Sequence, residues 1–165
     1  MRVLSVDPGL SETGWAVMVT ESGIAETKIE GYGCIRTTSD EQLPQRLMRL
    51  YDGLNVIIQK FNPEVICVEK QFLHPSAASI LATSQARGII LLACGINSKK
   101  MAEYNPREVK IAVTGNGSAG KEQVREMVKR ILKLKTLKGP LDISDAMAVG
   151  ICHINSYRIY NRVKG

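Results

Sequence analysis

The chain has no paired cysteine. Its four, Cys34, Cys67, Cys94 and Cys152, lie far apart, with no CxxC pair and no Cys/His cluster, which excludes a zinc site. Each sits in an apolar run, so reduced thiols acting as small core hydrophobes are expected. Nor is there an N-terminal signal segment, because the first apolar run is a few residues long and ends at Asp7. No run approaches the roughly 18 apolar residues that span a bilayer. Repeats, low-complexity segments and interdomain linkers are missing as well. These absences predict a soluble, cytoplasmic protein with no membrane partner. At 165 residues and 44% hydrophobic composition, it suits one domain with a full core.

Negative charge is also in short supply. The net charge is +6, and it is unevenly placed: residues 99–138 hold eleven Lys and Arg against four Glu. A solvated helix face explains scattered lysines. A basic cluster beside candidate metal ligands instead points to a phosphate backbone, which such patches gather by counterion release and steering. Arg125, inside this stretch, is a candidate DNA contact.

The hydrophobic pattern organises the chain. Arg2 to Val6, Gly14 to Thr20 and about Lys28 to Arg36 read as three strands, separated by turns at Pro8-Gly9 and Glu21-Ser22-Gly23. Such short connections make an antiparallel meander. Leu43, Leu47, Leu50, Leu54, Ile57 and Phe61 recur at helical spacing until Asn62-Pro63 stops them. Val65 to Val68 is a short buried strand. A helix opens at Pro75-Ser76 and runs to about Asn97, with apolar residues on more than one face. A strand follows near Met101 to Tyr104, then helices from Pro106 to about Val113, Lys121 to Leu134 and Leu141 to Tyr157. The pattern predicts an α/β domain with a mixed five-stranded sheet over residues 1–157. Residues 158–165 read as a short, basic, frayed tail.

Against this basic background four acids stand out. Asp7 ends the first strand at a Pro-Gly turn, Glu69 ends the Val65–Val68 run, and Asp142 and Asp145 sit three residues apart on one helix face. Singly, each has an ordinary explanation: turn former, solvated strand end, helix cap. Together they suit hard dications. Mg²⁺ and Mn²⁺ take oxygen ligands, and a paired site needs several carboxylates to hold two ions about 4 Å apart. One ion would acidify an attacking water while the other stabilises the leaving 3′ oxygen. Without metal, converging carboxylates would raise one another's pKa.

Several motifs follow one another in order: Asp7-Pro8-Gly9 with Thr13-Gly14, Gly33-Cys34-Ile35-Arg36-Thr37, Val68-Glu69-Lys70-Gln71-Phe72, Gln85-Ala86-Arg87-Gly88, Val109-Lys110, Gly115 to Lys121, and Asp142-Ile143-Ser144-Asp145-Ala146. The set resembles the RuvC family of Holliday-junction resolvases across nearly the whole chain. The resemblance implies an RNase H-like fold, a homodimer, and Mg²⁺-dependent paired nicking of four-way DNA junctions, with RuvA and RuvB as branch-migration partners. It places Asp7, Glu69, Asp142 and Asp145 as metal-binding catalytic residues, and Lys110 and Lys121 near the scissile phosphate. Phe72 matches the aromatic that stacks on unpaired junction bases. Arg87 is left between DNA binding and an ion pair at the subunit interface. Some relatives carry His at the position of Asp142; this chain keeps the carboxylate.

Two signals are set aside. Gly115 to Lys121 has P-loop spacing, but Glu122 stands where Ser or Thr should ligate Mg²⁺, and a helix rather than a strand is expected before it. His153 lies eight residues after Asp145, about 12 Å along a helix and too far for the same ion. His74 reads as a loop residue. Two other functions compete: a phosphotransferase of the actin and sugar-kinase type, which normally needs two such domains, and a junction-binding module without catalysis.

Overall fold

The computed structural model describes residues 1–70 and 77–164, the last seven by their backbone alone. Three strands open the chain: β1 (Arg2–Asp7), β2 (Glu12–Val19) and β3 (Lys28–Arg36). Then come α1 (Leu43–Phe61), β4 (Val65–Glu69), α2 (Ala77–Ile96), β5 (Lys100–Tyr104), α3 (Pro106–Thr114), α4 (Lys121–Ile131) and α5 (Leu141–Lys164). The sheet order is β3-β2-β1-β4-β5. β1, β2 and β3 pair antiparallel as the predicted meander, while β1–β4 and β4–β5 are parallel. The mixed five-stranded sheet expected from the pattern is the one observed.

Local chemistry accounts for most boundaries. Pro44 lies in the first turn of α1, and Asn62, left-handed at φ 45°, ends it. α3 begins with Pro106, and the Asn105 amide donates to the Glu108 carboxylate at 2.7 Å, half of a capping box. Two helix ends differ from expectation. α4 stops at Ile131 rather than Leu134, because Lys133 turns left-handed at φ 54°. α5 continues past Tyr157 to Lys164, since no Gly or Pro interrupts residues 157–164.

The sheet separates two apolar layers. Leu4, Val6, Val17, Ile66 and Val68 face α1 and α2, whereas Val3, Ala16, Met18, Val65 and Cys67 face α3, α4 and α5. Cys67, Cys94 and Cys152 are buried free thiols, and Cys34 is half-buried. α2 corrects the estimate of apolar length. By length and composition it suffices to cross a bilayer, because its Ser, Thr, Gln and Arg interrupt the run without outweighing the Ile, Leu and Ala. Its Ala86, Ile90, Ala93 and Cys94 are buried against the domain.

Closest to the sheet lies α5, which crosses β1 and β2 where side chains are missing. A Cβ on Gly14 would stand 2.0 Å from the Asp142 carbonyl oxygen, and one on Gly150 would stand 1.9 Å from Met18 Cε. Gly14→Ala must therefore push the first turn of α5 off the sheet. It should cost about 1–3 kcal/mol in urea unfolding, as overpacking does; an unchanged midpoint would show that the helix adjusts freely.

Candidate active site

Strand periodicity brings the first two acids together. Along β1, Val3, Ser5 and Asp7 point to the α5 side; along β4, Val65, Cys67 and Glu69 do the same. The parallel register pairs Val3 with Val65 and Ser5 with Cys67. Asp7 and Glu69 are the next positions of that face, at the carboxyl ends of adjacent strands. α5 then starts directly over this end of the sheet. Its first turns place Asp142 and Asp145, three residues apart, on one face.

The turn after Asp7 is braced from three directions. Thr13 Oγ1 donates to the Gly9 carbonyl at 2.5 Å, and Thr37 Oγ1 to the Leu10 carbonyl at 2.6 Å. Arg46 donates to Thr37 Oγ1 at 2.9 Å and to Ser11 Oγ at 3.0 Å. Arg46 escaped the sequence reading because nothing in the helix pattern marks a residue that reaches back to a turn 35 positions earlier.

Asp7, Glu69, Asp145, Lys110 and Lys121 line a cavity of about 250 Å³, with Val109 and Val124 among its apolar walls. Asp142 lies beyond this lining but within electrostatic reach. Burial, then Asp145, Glu69 and Asp142, push the Asp7 carboxyl well above the usual range. Burial and Asp145 raise Glu69 to about 7, against the pull of Lys121 and Lys110. Asp145 is raised by burial, with Asp142 adding to it and Lys121 and Lys110 opposing. Lys121 Nζ stands 3.1 Å from Asp145 Oδ2. Its partial burial works against its charge, yet Asp145, Asp7 and Asp142 together raise its pKa.

This donor set fits a hard divalent cation. The acids offer only oxygen, they repel one another, and one ammonium already sits among them. Among the described residues, no three acidic, His or Cys side chains are yet gathered closely enough to hold an ion.

The other candidates fall into different places. Lys110 reaches the cavity from α3. Arg87, on α2, pairs with Glu103 of β5 within the same chain, its Nε donating at 3.1 Å. Arg125, expected on DNA, donates to backbone here: its Nη2 meets the carbonyls of Leu137 at 2.6 Å and Gly139 at 3.1 Å. Phe72 and His74 lie outside the described residues. His153 is buried, its Nδ1 2.7 Å from Tyr104 Oη, away from the acids as the spacing required. The segment from Gly115 to Lys121 links two helices, α3 and α4, so no P-loop exists here.

Known proteins resemble this arrangement throughout. Residues 3–153 match the family model described as crossover junction endodeoxyribonuclease RuvC. The protein of that name from Endomicrobium trichonymphae is 42% identical over 156 residues, 94% of this chain and 82% of its own length. Its namesake from Desulforamulus reducens is 43% identical over 153 residues, 93% of each chain. Among solved structures, Thermus thermophilus RuvC in complex with a Holliday junction substrate superposes with a TM-score of 0.90 at 28% identity, covering 96% of both chains.

The raised carboxylates have a stability consequence. Their folded pKa values exceed the unfolded ones, so they favour the folded state below about pH 4.5, and that contribution is lost as pH rises to about 7 and beyond. In EDTA, thermal melting should therefore fall between pH 5 and pH 8, and Asp7→Asn should flatten the fall and raise the midpoint at pH 8. Identical pH profiles for the two proteins would contradict the electrostatic account.

Proposed function

Because this chain belongs to the RuvC family of crossover junction endodeoxyribonucleases, we propose that Asp7, Glu69, Asp142 and Asp145 are the metal-binding catalytic carboxylates of its junction-cutting site. The fold is RNase H-like, and the protein is a metal-dependent endonuclease that resolves four-way DNA junctions by paired nicks in recombination and repair. What most supports the residue assignment is the convergence of Asp7, Glu69 and Asp145 on one cavity with Lys110 and Lys121.

Mg²⁺ is the ion we assign, with Mn²⁺ as a substitute and two ions per subunit. Bound there, the metal would supply an acidified water and neutralise charge on the leaving 3′ oxygen. The protein's own part is positional. Asp7 and Glu69 are held by the paired strands and Asp145 by a helix seated on them, so their backbones are fixed and only side-chain rotation is left to close the acids around an ion. Lys121, at the exposed start of α4, holds Asp145 and is free to turn to a phosphate oxygen when DNA arrives. Lys110 faces the same space from α3 and offsets charge on the pentacoordinate phosphorus.

The substrate's two-fold symmetry calls for two such sites. Leu81, Leu92 and Ile96 of α2 are 60%, 52% and 58% exposed and lie along one helical stripe, which we assign to the homodimer contact. RuvA and RuvB complete the set of proposed partners, and Phe72 is proposed to stack on junction bases. The cytoplasm is the compartment we propose for this work.

The test is a branch-mobile synthetic junction incubated with Mg²⁺ or EDTA, with linear duplex as control. Symmetric, religatable nicks should appear only with junction and metal. Asp7→Asn should abolish them and leave junction binding intact, and Lys110→Ala should slow cleavage about 10²–10³-fold, as loss of a transition-state charge donor does. Normal cutting by Asp7→Asn would refute the assignment. In sedimentation, Leu92→Arg should convert a dimer to monomers; a wild-type monomer at micromolar concentration would refute the α2 interface.

A further inference from the structure

Arg125, in the basic stretch, is half-buried and reaches back to protein backbone. Arg125 lies four residues after Lys121 on α4, hence on the same helix face and about 6 Å further along the axis. Lys121 meets Asp145 of α5. One turn on, the Arg125 guanidinium meets the segment that leads into α5, donating to the carbonyls of Leu137 at 2.6 Å, Gly139 at 3.1 Å and, more weakly, Pro140 at 3.4 Å. That segment has few other restraints. Leu137 is buried in the core, Pro140 also accepts from the Ile143 amide at 3.3 Å, and Gly139 takes φ +107°, where a Cβ would come within 2.6 Å of Ile143 Cδ1. Asp142 follows Pro140 by two residues.

We propose that Arg125 is a positioning residue: by clamping residues 137–140 it fixes how α4 docks on the start of α5, and so fixes Lys121 against Asp145 and the Asp142–Asp145 pair over the strand ends. The proposal rests on the active-site reading above. A planar guanidinium suits this task, since its fork presents several donors at fixed angles to several carbonyls. A Lys ammonium is a single centre with a shorter reach and does not reproduce that geometry. The same contacts turn both Nη2 donors toward backbone carbonyls, away from a role as a simple phosphate contact.

The experiment uses the full chain with Arg125→Lys and Arg125→Ala. Junction affinity is measured in EDTA over a range of salt, and cleavage of saturated junction with Mg²⁺ under single-turnover conditions. Mn²⁺ binding is measured by calorimetry without DNA. Junction affinity should stay within about twofold, with the same salt slope. Cleavage should fall about tenfold for Arg125→Lys and about 10²-fold for Arg125→Ala, the scale of an ångström-sized misplacement. Mn²⁺ affinity should fall about tenfold, as when a ligand loses its outer support. Weaker junction binding with a shallower salt slope and undiminished cleavage of bound junction would make Arg125 a DNA contact and overturn the proposal. Wild-type cleavage by Arg125→Lys would overturn it too, and that variant decides the matter if Arg125→Ala does not fold. A wild-type protein that binds Mn²⁺ but never nicks would fell the active-site reading instead, and the Mn²⁺ titration would still judge Arg125.

Discussion

Everything at the functional end of this molecule depends on how closely α5 approaches β1 and β2. The helix carries two of the four acids, and the strands position the other two, so the site exists only where helix and sheet nearly touch. Gly14 and Gly150 permit that contact, because any Cβ at either position would overlap α5 backbone or the Met18 side chain. The apolar face of α5, including Ile143, Met147, Ile151 and Ile154, then holds the helix in place by burial on the core side. Stability and function are thus coupled through one interface rather than divided between separate regions.

Burial that favours the interface works against the carboxylates. Asp7 and Glu69 are driven toward their neutral forms by low polarity and by each other's neighbours, and Lys121 and Lys110 relieve only part of this. The site stores electrostatic strain that a dication would release, which ties affinity for metal to the same contacts that make the metal-free fold less stable at neutral pH. The basic α3–α4 region has two roles in consequence. Some of its charges face the cavity, and at least one, Arg125, is turned inward to hold backbone in place.

Element identity was legible because it follows local periodicity. The short apolar runs of β1 and β4, each closed by an acid, and the helical recurrence of Leu50, Leu54 and Ile57 in α1 predict the observed elements. The misplaced ends of α4 and α5 show where periodicity is insufficient. Lys133 turns left-handed without a Gly to mark it, and the tail continues as helix because nothing forbids it. The arginines were the least legible. Arg46, Arg87 and Arg125 look alike in sequence, yet one braces a turn, one pairs with Glu103 and one clamps a loop. A long side chain with five donors takes its role from whatever lies within reach, and that is a property of the assembled fold.

The sequence by itself determined the oxygen-only acid set, the sheet and helix inventory, and the ordered motifs shared with a nuclease family, since each depends on residue type and spacing along the chain. Only the tertiary structure decided which acids share a cavity, which cations stand beside them, and which basic side chains hold backbone. Those outcomes depend on distances between segments more than 60 residues apart, from Asp7 to Glu69 and on to Asp145, and through-space electrostatics and hydrogen bonding have no counterpart in linear order.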